Sequence, residues 1–410
     1  MPFLRFVAGC VRLVTHGGRA YWAWIAFLLA AIAVGIGGYV RQAHDGLIAS
    51  SMRDQVSWAF YIGNFTFLVG VAAAGVMLVI PAYVYHWKPI KEVVILGELL
   101  AISALAMSLL FILCDLGRPD RFVHLVPVLG TPNWPRSLLA WDALVLNMYL
   151  AVNVAVVVHT LYRAYHGREY DRRFVVPLVM FSIPLAIATH TVTAFLFSGM
   201  AARPYWNASI LAPRFLASAF SSGPAVMLVL FQVLRRTIDF PIKQEAIWKV
   251  AELMAYAMFV NLFLHGAELF KDFYSATEHS LSAQYVWGVL GEHALPFAWI
   301  SLGANVVAFL ILLVPQTRKR LVTLNVGCLL AWGGVYLEKG TELVIAGMTP
   351  DTLGEIYAYA PSATELSVAA GVFGTGFLVF TLLVKIAVPI LYGTFRAETP
   401  TPAALTTVAG

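Results

Sequence analysis

Ionisable side chains embedded in long apolar stretches are the residues best placed to do chemistry in this sequence. An ionisable group in hydrocarbon costs roughly 2.5–3.5 kcal/mol on insertion scales, so each one needs a reason to be there. They are Glu98, His159, His190, Glu252, His265, Glu268, Glu338, Lys339, Glu342 and Lys385. Carboxylates and imidazoles held at depth take and release protons. Asn261, His265, Glu268 and Asp272 follow at steps of four, three and four, which puts them on one helix face. Such a stripe lines a proton path, docks a partner, or faces water in a last helical turn. Glu338 and Glu342 are one turn apart, with Lys339 within reach of Glu342. Glu98 and Asp115 are 17 residues apart and Glu252 and Glu268 are 16 apart. Seventeen residues at about 1.5 Å rise span roughly 25 Å, close to the bilayer thickness. Proton half-channels need carboxylates so spaced, and paired structural acids explain them equally well.

Two further stretches suit a flat redox ligand. Asp115-Leu116-Gly117-Arg118-Pro119-Asp120-Arg121 stops a helix at Gly117 and Pro119 and packs alternating charges into a knot. The knot is either a self-paired loop or the polar rim of a site. His190-Thr191-Val192-Thr193 lies deeper, and Arg203-Pro204-Tyr205-Trp206 precedes Arg214 and Ser218. A cleft with aromatic walls, one His and one Arg matches a quinone headgroup. Its ring stacks, its carbonyls accept hydrogen bonds from His or Arg, and a nearby acid supplies the proton. Tyr205 and Trp206 fit an interfacial aromatic belt as well.

The elements that position these groups must sit in lipid. Sixty per cent of the 410 residues are hydrophobic and 12% are charged, with mean hydropathy +0.78. That is too little charge to solvate the surface of a soluble domain. Runs near the roughly 20 residues that span a bilayer occur at Tyr21–Val40, Trp58–Tyr83, Val93–Cys114, Leu138–Leu161, Phe174–Gly199, Ala212–Leu234, Ile247–Glu268, Ala294–Val314, Leu321–Ile345 and Thr364–Ile390. They are continuous, whereas barrel strands alternate. The expected fold is therefore an all-α integral membrane protein of about ten transmembrane helices. A repeat, Val76-Met77-Leu78-Val79 against Val226-Met227-Leu228-Val229, with Glu98-Leu99 echoed by Glu252-Leu253 one run later, divides them. Runs two to five and six to nine would form two four-helix bundles, with a flanking helix at each end. One polytopic domain covers residues 1–397, and residues 398–410, rich in Thr, Ala and Pro, read as a disordered tail.

Of the 27 Lys and Arg residues, 18 fall at the N-terminus, after even-numbered runs and at the C-terminal end, and 9 at the opposite side. The positive-inside rule then puts both termini in the cytoplasm. The basic pI follows from topology, so nucleic acid is not an expected partner. The first 20 residues read as a short interfacial helix. Cys10, Cys114 and Cys328 lie far apart with no CxxC or CxxCH, which argues against an iron–sulfur cluster or covalent haem in this chain. No metal-ligand pattern and no nucleotide-binding loop is present.

Ser57-Trp58-Ala59-Phe60-Tyr61-Ile62-Gly63-Asn64-Phe65-Thr66-Phe67-Leu68-Val69-Gly70 resembles the NrfD/PsrC family of polysulfide-reductase-type membrane subunits. So do Asp115-Leu116-Gly117-Arg118-Pro119, Asn133-Trp134-Pro135-Arg136-Ser137 with Trp141-Asp142, and Leu211-Ala212-Pro213-Arg214-Phe215-Leu216-Ala217-Ser218-Ala219-Phe220. The similarity runs from about Trp58 to Ile390, and ten helices look most like the HmcC/DsrP branch. The resemblance implies a chain with no cofactor of its own that binds menaquinone or ubiquinone near the periplasmic face of the bacterial inner membrane. It implies electron exchange with a periplasmic ferredoxin-like iron–sulfur subunit, in sulfur or other anaerobic-type respiration. Partners of that branch also include a multihaem cytochrome c and further membrane or cytoplasmic redox subunits.

Carried over by position, Tyr61, Asn64, Asp115, His190 and Thr191 would surround the quinone, with Arg118, Trp206 and Arg214 beside them. Glu98, Glu252, His265, Glu268, Glu338 and Glu342 would form a proton path. A transporter or ion channel, a di-haem cytochrome b and a non-catalytic membrane anchor remain the alternatives. A parallel repeat fits the first poorly, and the second needs facing histidine pairs.

Overall fold

In a computed structural model the described residues are 2–85, 87–91, 93–126, 129–238, 242–277, 279–289 and 297–397. The proposed tail, 398–410, lies outside them. Among the described residues the regular structure is helical, with no β-strand. Hydrocarbon offers no partner to a backbone N–H or C=O, so continuous apolar runs close their hydrogen bonds internally.

A short helix α1 (Pro2–Thr15) precedes α2 (Arg19–Asp45). Then come α3 (Phe60–Val79, running into a π-turn Ile80–Val84), α4 (Val94–Asp115), α5 (Leu138–Tyr165) and α6 (Arg172–Ser198). The second half holds α7 (Leu211–Thr237), α8 (Gln244–Ser275), the short α9 (His279–Val286), α10 (Phe297–Leu313), α11 (Leu321–Leu337) and α12 (Ala363–Leu391). Nine of these helices, counting α11 with its continuation to Met348, are long and apolar enough to cross a membrane. In the eighth run the described helix, α10, has 17 residues, about 25 Å at 1.5 Å each.

Helices α3, α4, α5 and α6 close one ring of neighbours and α7, α8, α10 and α11 close another. These are the two bundles that the sequence repeat anticipates. Helix α3 is their common wall: it packs on α7 as well as on its own bundle, and 83% of its span is buried against 17% of α2. Its small residues make this possible, because a Cβ on Gly223 of α7 would overlap Ala74 and crowd the backbone of Gly70. Helices α2 and α12 pair with each other, and α12 leans on α4 and α5. The backbones of Gly35 and Gly371 touch at their crossing, where a side chain on either would strike the other helix.

The ninth run departs from the regular helix expected there. After Leu337 the chain forms a π-stretch, Glu338–Ile345, before a final turn Ala346–Met348. A π-stretch spends extra residues per turn and turns its side chains away from the α-helical positions, a distortion common at functional sites. Successive spans reverse direction, so the start of α3, the ends of α4, α6 and α8, and the start of α7 share one end of the molecule. The start of α2 and the end of α12, towards the chain termini, are at the opposite end.

Candidate functional site

Inside the second bundle, towards the end away from the termini, three helices aim charged groups at one point and a fourth, α10, adds an amide. Arg214, in the first turn of α7, is 5% exposed. Its Nε donates to Glu338 Oε1 at 3.1 Å, its Nη1 to Glu268 Oε2, and its Nη2 lies 3.5 Å from Glu342 Oε1. The same Nη2 is 2.5 Å from His265 Nδ1, and His265 Nε2 faces Glu342 Oε1 at 3.1 Å. Glu338 Oε2 accepts from Asn261 Nδ2 at 3.0 Å and from Asn305 Nδ2 at 2.8 Å. The guanidinium fork reaches three carboxylates because its donors lie in one plane.

Helix α8 supplies its half of the network through the 261, 265, 268, 272 stripe. All four side chains are buried, so the stripe faces the bundle and not water. The π-stretch supplies the other half. An α-helix would bring Lys339 within reach of Glu342. Instead Lys339 turns towards α3, its Nζ 3.1 Å from where a Cβ on Gly70 would stand, 3.4 Å from the carbonyl of Phe215 on α7 and 4.9 Å from the centre of that ring. Lys339 also lies within Coulombic reach of His190 on α6. Counted together, Glu268, Glu338 and Glu342 bring three negative charges against Arg214 and Lys339. The three carboxylates outnumber the two cations by one.

Trp206 caps the network. It is fully buried between Trp58 and Phe197, and its Nε1 donates to the Leu343 carbonyl of the π-stretch at 2.8 Å. Gly347 is needed beneath it, since a Cβ there would enter the indole. Arg203 ties the same cap together, donating to Met348 O at 2.9 Å and Gln55 O at 3.4 Å. Burial pulls its pKa below the usual value, while Asp351 opposes the shift.

The other expected site residues spread over several places. Tyr61 donates to Gln42 Oε1 at 2.7 Å, and Gln42 Nε2 donates to Cys114 O at 2.7 Å, joining α3, α2 and α4. Asn64 accepts from Tyr336 at 2.8 Å across the bundle boundary. Asp115 is turned in from the charged knot, its Oδ1 sealed from solvent with no hydrogen-bond partner among the described residues. Arg118 stays exposed, forks onto Asp120 and holds that carboxyl below its usual range. His190 is buried, with Nδ1 3.0 Å from Ala186 O and Nε2 unpartnered. Thr191 is on a different face, bonded to Ile187 O of its own helix. Thr193, on the side of His190, donates to buried Asp142 at 2.8 Å.

Glu98 lies near the far end of α4, facing Tyr83 OH at 3.5 Å with Oε2 unpartnered. Glu252 is part-exposed beside Lys249, Tyr256 and Arg318 and stands apart from the network. The fold thus merges Arg214 with His265, Glu268, Glu338 and Glu342, which the sequence divides between two tasks.

Two contributors escape the sequence reading. Asn305 has a signal in its spacing from Ser301, one turn away in an otherwise apolar run. Glu365 is completely buried, accepting from Tyr359 OH, Ser51 N at 2.9 Å and Ser362 N at 2.8 Å. Its signal is the S-x-x-E capping box Ser362–Glu365. Between α4 and α5, at the same end as Asp115, opens an apolar cavity of about 1080 Å³ lined by Leu113, Leu116, Phe122, Trp134, Leu139 and Asn147 among others.

The family described as "Polysulphide reductase, NrfD" matches residues 49–350. The chain belongs to the NrfD family. It is 27% identical over 399 residues to a putative dimethyl sulfoxide reductase membrane subunit of Halobacterium salinarum, covering 87% of this chain and 88% of that protein. It is 24% identical over 416 residues to a selenate reductase subunit of Mesobacillus selenatarsenatis, covering 91% and 94%. The buried network falls wholly inside the NrfD match, whereas Glu365 and α12 follow it. Among the described residues no three His, Cys, Asp or Glu side chains group as a metal site would require.

Proposed function

We propose that this NrfD protein is the quinone-linked membrane subunit of a reductase complex. It would exchange electrons between the quinone pool and a periplasmic ferredoxin-like iron–sulfur subunit. The observation that carries the reading is the buried network of Arg214, His265, Glu268, Glu338 and Glu342 at the end of the bundle away from the termini. A chain that only anchored others would have no use for three carboxylates, an arginine and a histidine clustered inside the membrane, and proton exchange must accompany quinone reduction or quinol oxidation. The names of the two relatives, both subunits of reductases and one of them a membrane subunit, support the same reading.

The residues present fit a quinone. The cavity between α4 and α5 has the size and apolar walls for an isoprenoid tail. Leu116, in its wall, follows Asp115, whose unpartnered Oδ1 is able to accept a hydrogen bond. A bound quinone supplies a two-electron, two-proton couple. Asp115 would take the first proton at Oδ1 in quinol oxidation and return it in quinone reduction. His190 is a second acceptor: Nδ1–H donating to Ala186 leaves a bare lone pair on Nε2. Tyr61 and Asn64 are already committed to Gln42 and Tyr336 and would position the walls. Thr191 is left outside this arrangement, and Arg118 stands at the rim.

From the bundle boundary, His190, Lys339 and the Arg214 network form the proton-holding route, with Glu98 and Glu252 near the opposite ends of α4 and α8. The excess of basic residues on the terminal side supports cytoplasmic termini and an inner-membrane location.

Purified with its partner subunits, the complex should oxidise or reduce a water-soluble quinone analogue. Asp115→Asn should lower that turnover at least tenfold while the complex still assembles. An assembled wild-type complex with no quinone-linked turnover would overturn the proposal in favour of an anchor or a transporter.

A further inference from the structure

A second groove lies at the end of the molecule that carries the termini, between α7 and α11, and has a volume of about 480 Å³. Val229, Gln232, Val233 and Arg236 form one face of α7, and Leu321, Asn325 and Leu329 face them from α11 at steps of four. The groove is graded along its length. Its inner walls are Val229, Val233 and Leu329, and Arg235 and Arg236 stand at its mouth.

Between the two lies an amide pair, Gln232 Nε2 donating to Asn325 Oδ1. Arg235 gives one N–H to Gln244 Oε1 at 2.8 Å. Arg236 meets no carboxylate among the described residues, and neither arginine is buried. Asn325, half-buried in the groove wall, has no acceptor for its Nδ2 among the described residues.

We infer that this groove binds one anionic phospholipid, its phosphate on Arg235 and Arg236, its ester carbonyls by Asn325, and an acyl chain along Val229, Val233 and Leu329. The order of chemistries along the groove (cation, amide donor, hydrocarbon) is that of a phospholipid read from headgroup to tail. Val229 to Arg236 is seven residues, about 10 Å of helix, enough for a headgroup, glycerol and the first methylenes. Two guanidiniums match a phosphate's oxygens bidentately and require a negative headgroup. A free phosphate would use the arginines and leave the apolar part of the groove unfilled. The inference rests on the fold alone and is independent of the quinone reading.

The test uses the full chain, delipidated in detergent, with mixed micelles of phosphatidylglycerol, phosphatidylcholine or no lipid, and inorganic phosphate as a separate arm. Native mass spectrometry should show phosphatidylglycerol adducts on the wild type. They should fall at least fivefold in Arg235→Gln/Arg236→Gln and persist in Arg168→Gln/Arg172→Gln, whose arginines lie at the same end outside the groove. Asn325→Leu should weaken the adduct with the arginines intact. Equal adducts in wild type and the Arg235/Arg236 variant would overturn the inference. So would equal binding of phosphatidylcholine, or displacement of the lipid by millimolar phosphate.

Discussion

Glu338 makes the most demanding contacts in the network, and Glu338→Gln tests whether they act together. One carboxylate oxygen accepts from Arg214 and the other from both Asn261 and Asn305. A glutamine has one oxygen and one NH2, so either orientation sets donors against donors. With its oxygen towards Arg214 it loses two amide bonds, about 0.6 kcal/mol each in membrane helices, and faces two NH2 groups with a third. With its oxygen towards the asparagines it loses a charged bond of about 1.5–3 kcal/mol. Either way Arg214 keeps two of its three carboxylates, which places the expected loss at about 2–3 kcal/mol, below the 3–5 kcal/mol of a fully orphaned buried ion.

Cys114 and Cys328 are buried and free, so a thiol-reactive fluorophore reports unfolding. At about 2–4 °C per kcal/mol for a unit of 150–250 residues, the midpoint should fall by roughly 4–12 °C. Glu252→Gln, at a part-exposed carboxylate, serves as the control and should move it by no more than a degree or two. An unchanged midpoint in Glu338→Gln, or an equal fall in the control, would refute the idea that Glu338 is held by three partners at once.

Trp206→Phe keeps the ring packing but takes the indole donor from the buried Leu343 carbonyl, leaving it the Ala346 N–H alone, which should cost about 0.5–1.5 kcal/mol in the same unfolding assay. Gly371→Val should push α2 off α12, because the new side chain meets the backbone of Gly35; limited proteolysis of the residue 46–59 connection should accelerate. Glu365→Gln loosens the ties to Ser51 and Tyr359 over the end of α4, so maleimide labelling of Cys114 in the folded protein should rise severalfold. His190→Ala should weaken quinone turnover with the complex still assembled, and wild-type turnover would remove His190 from the site.

Read by itself, the sequence determines what the solvent determines. Lipid leaves the backbone no partner but itself, so each apolar run declares a helix, and the repeated Val-Met-Leu-Val and Glu-Leu pairs divide those helices into two bundles. It also identifies the buried ionisable groups, because their insertion cost makes them conspicuous wherever they stand. It even gives the face shared by Asn261, His265, Glu268 and Asp272, since helical periodicity is local.

Which groups meet is decided by helices far apart in the chain. Arg214 reaches Glu338 across 124 residues, and no spacing rule couples α7 to α11. The π-stretch had no local signature either: Glu338, Lys339 and Glu342 read as a regular turn, and it is in the packed structure that the lysine meets Phe215 and the acids meet Arg214. Asn305 looks incidental in sequence because it is one amide in an apolar run, and Glu365 because it reads as the capping-box residue of a helix start. Their weight comes from the partners that tertiary structure brings to them.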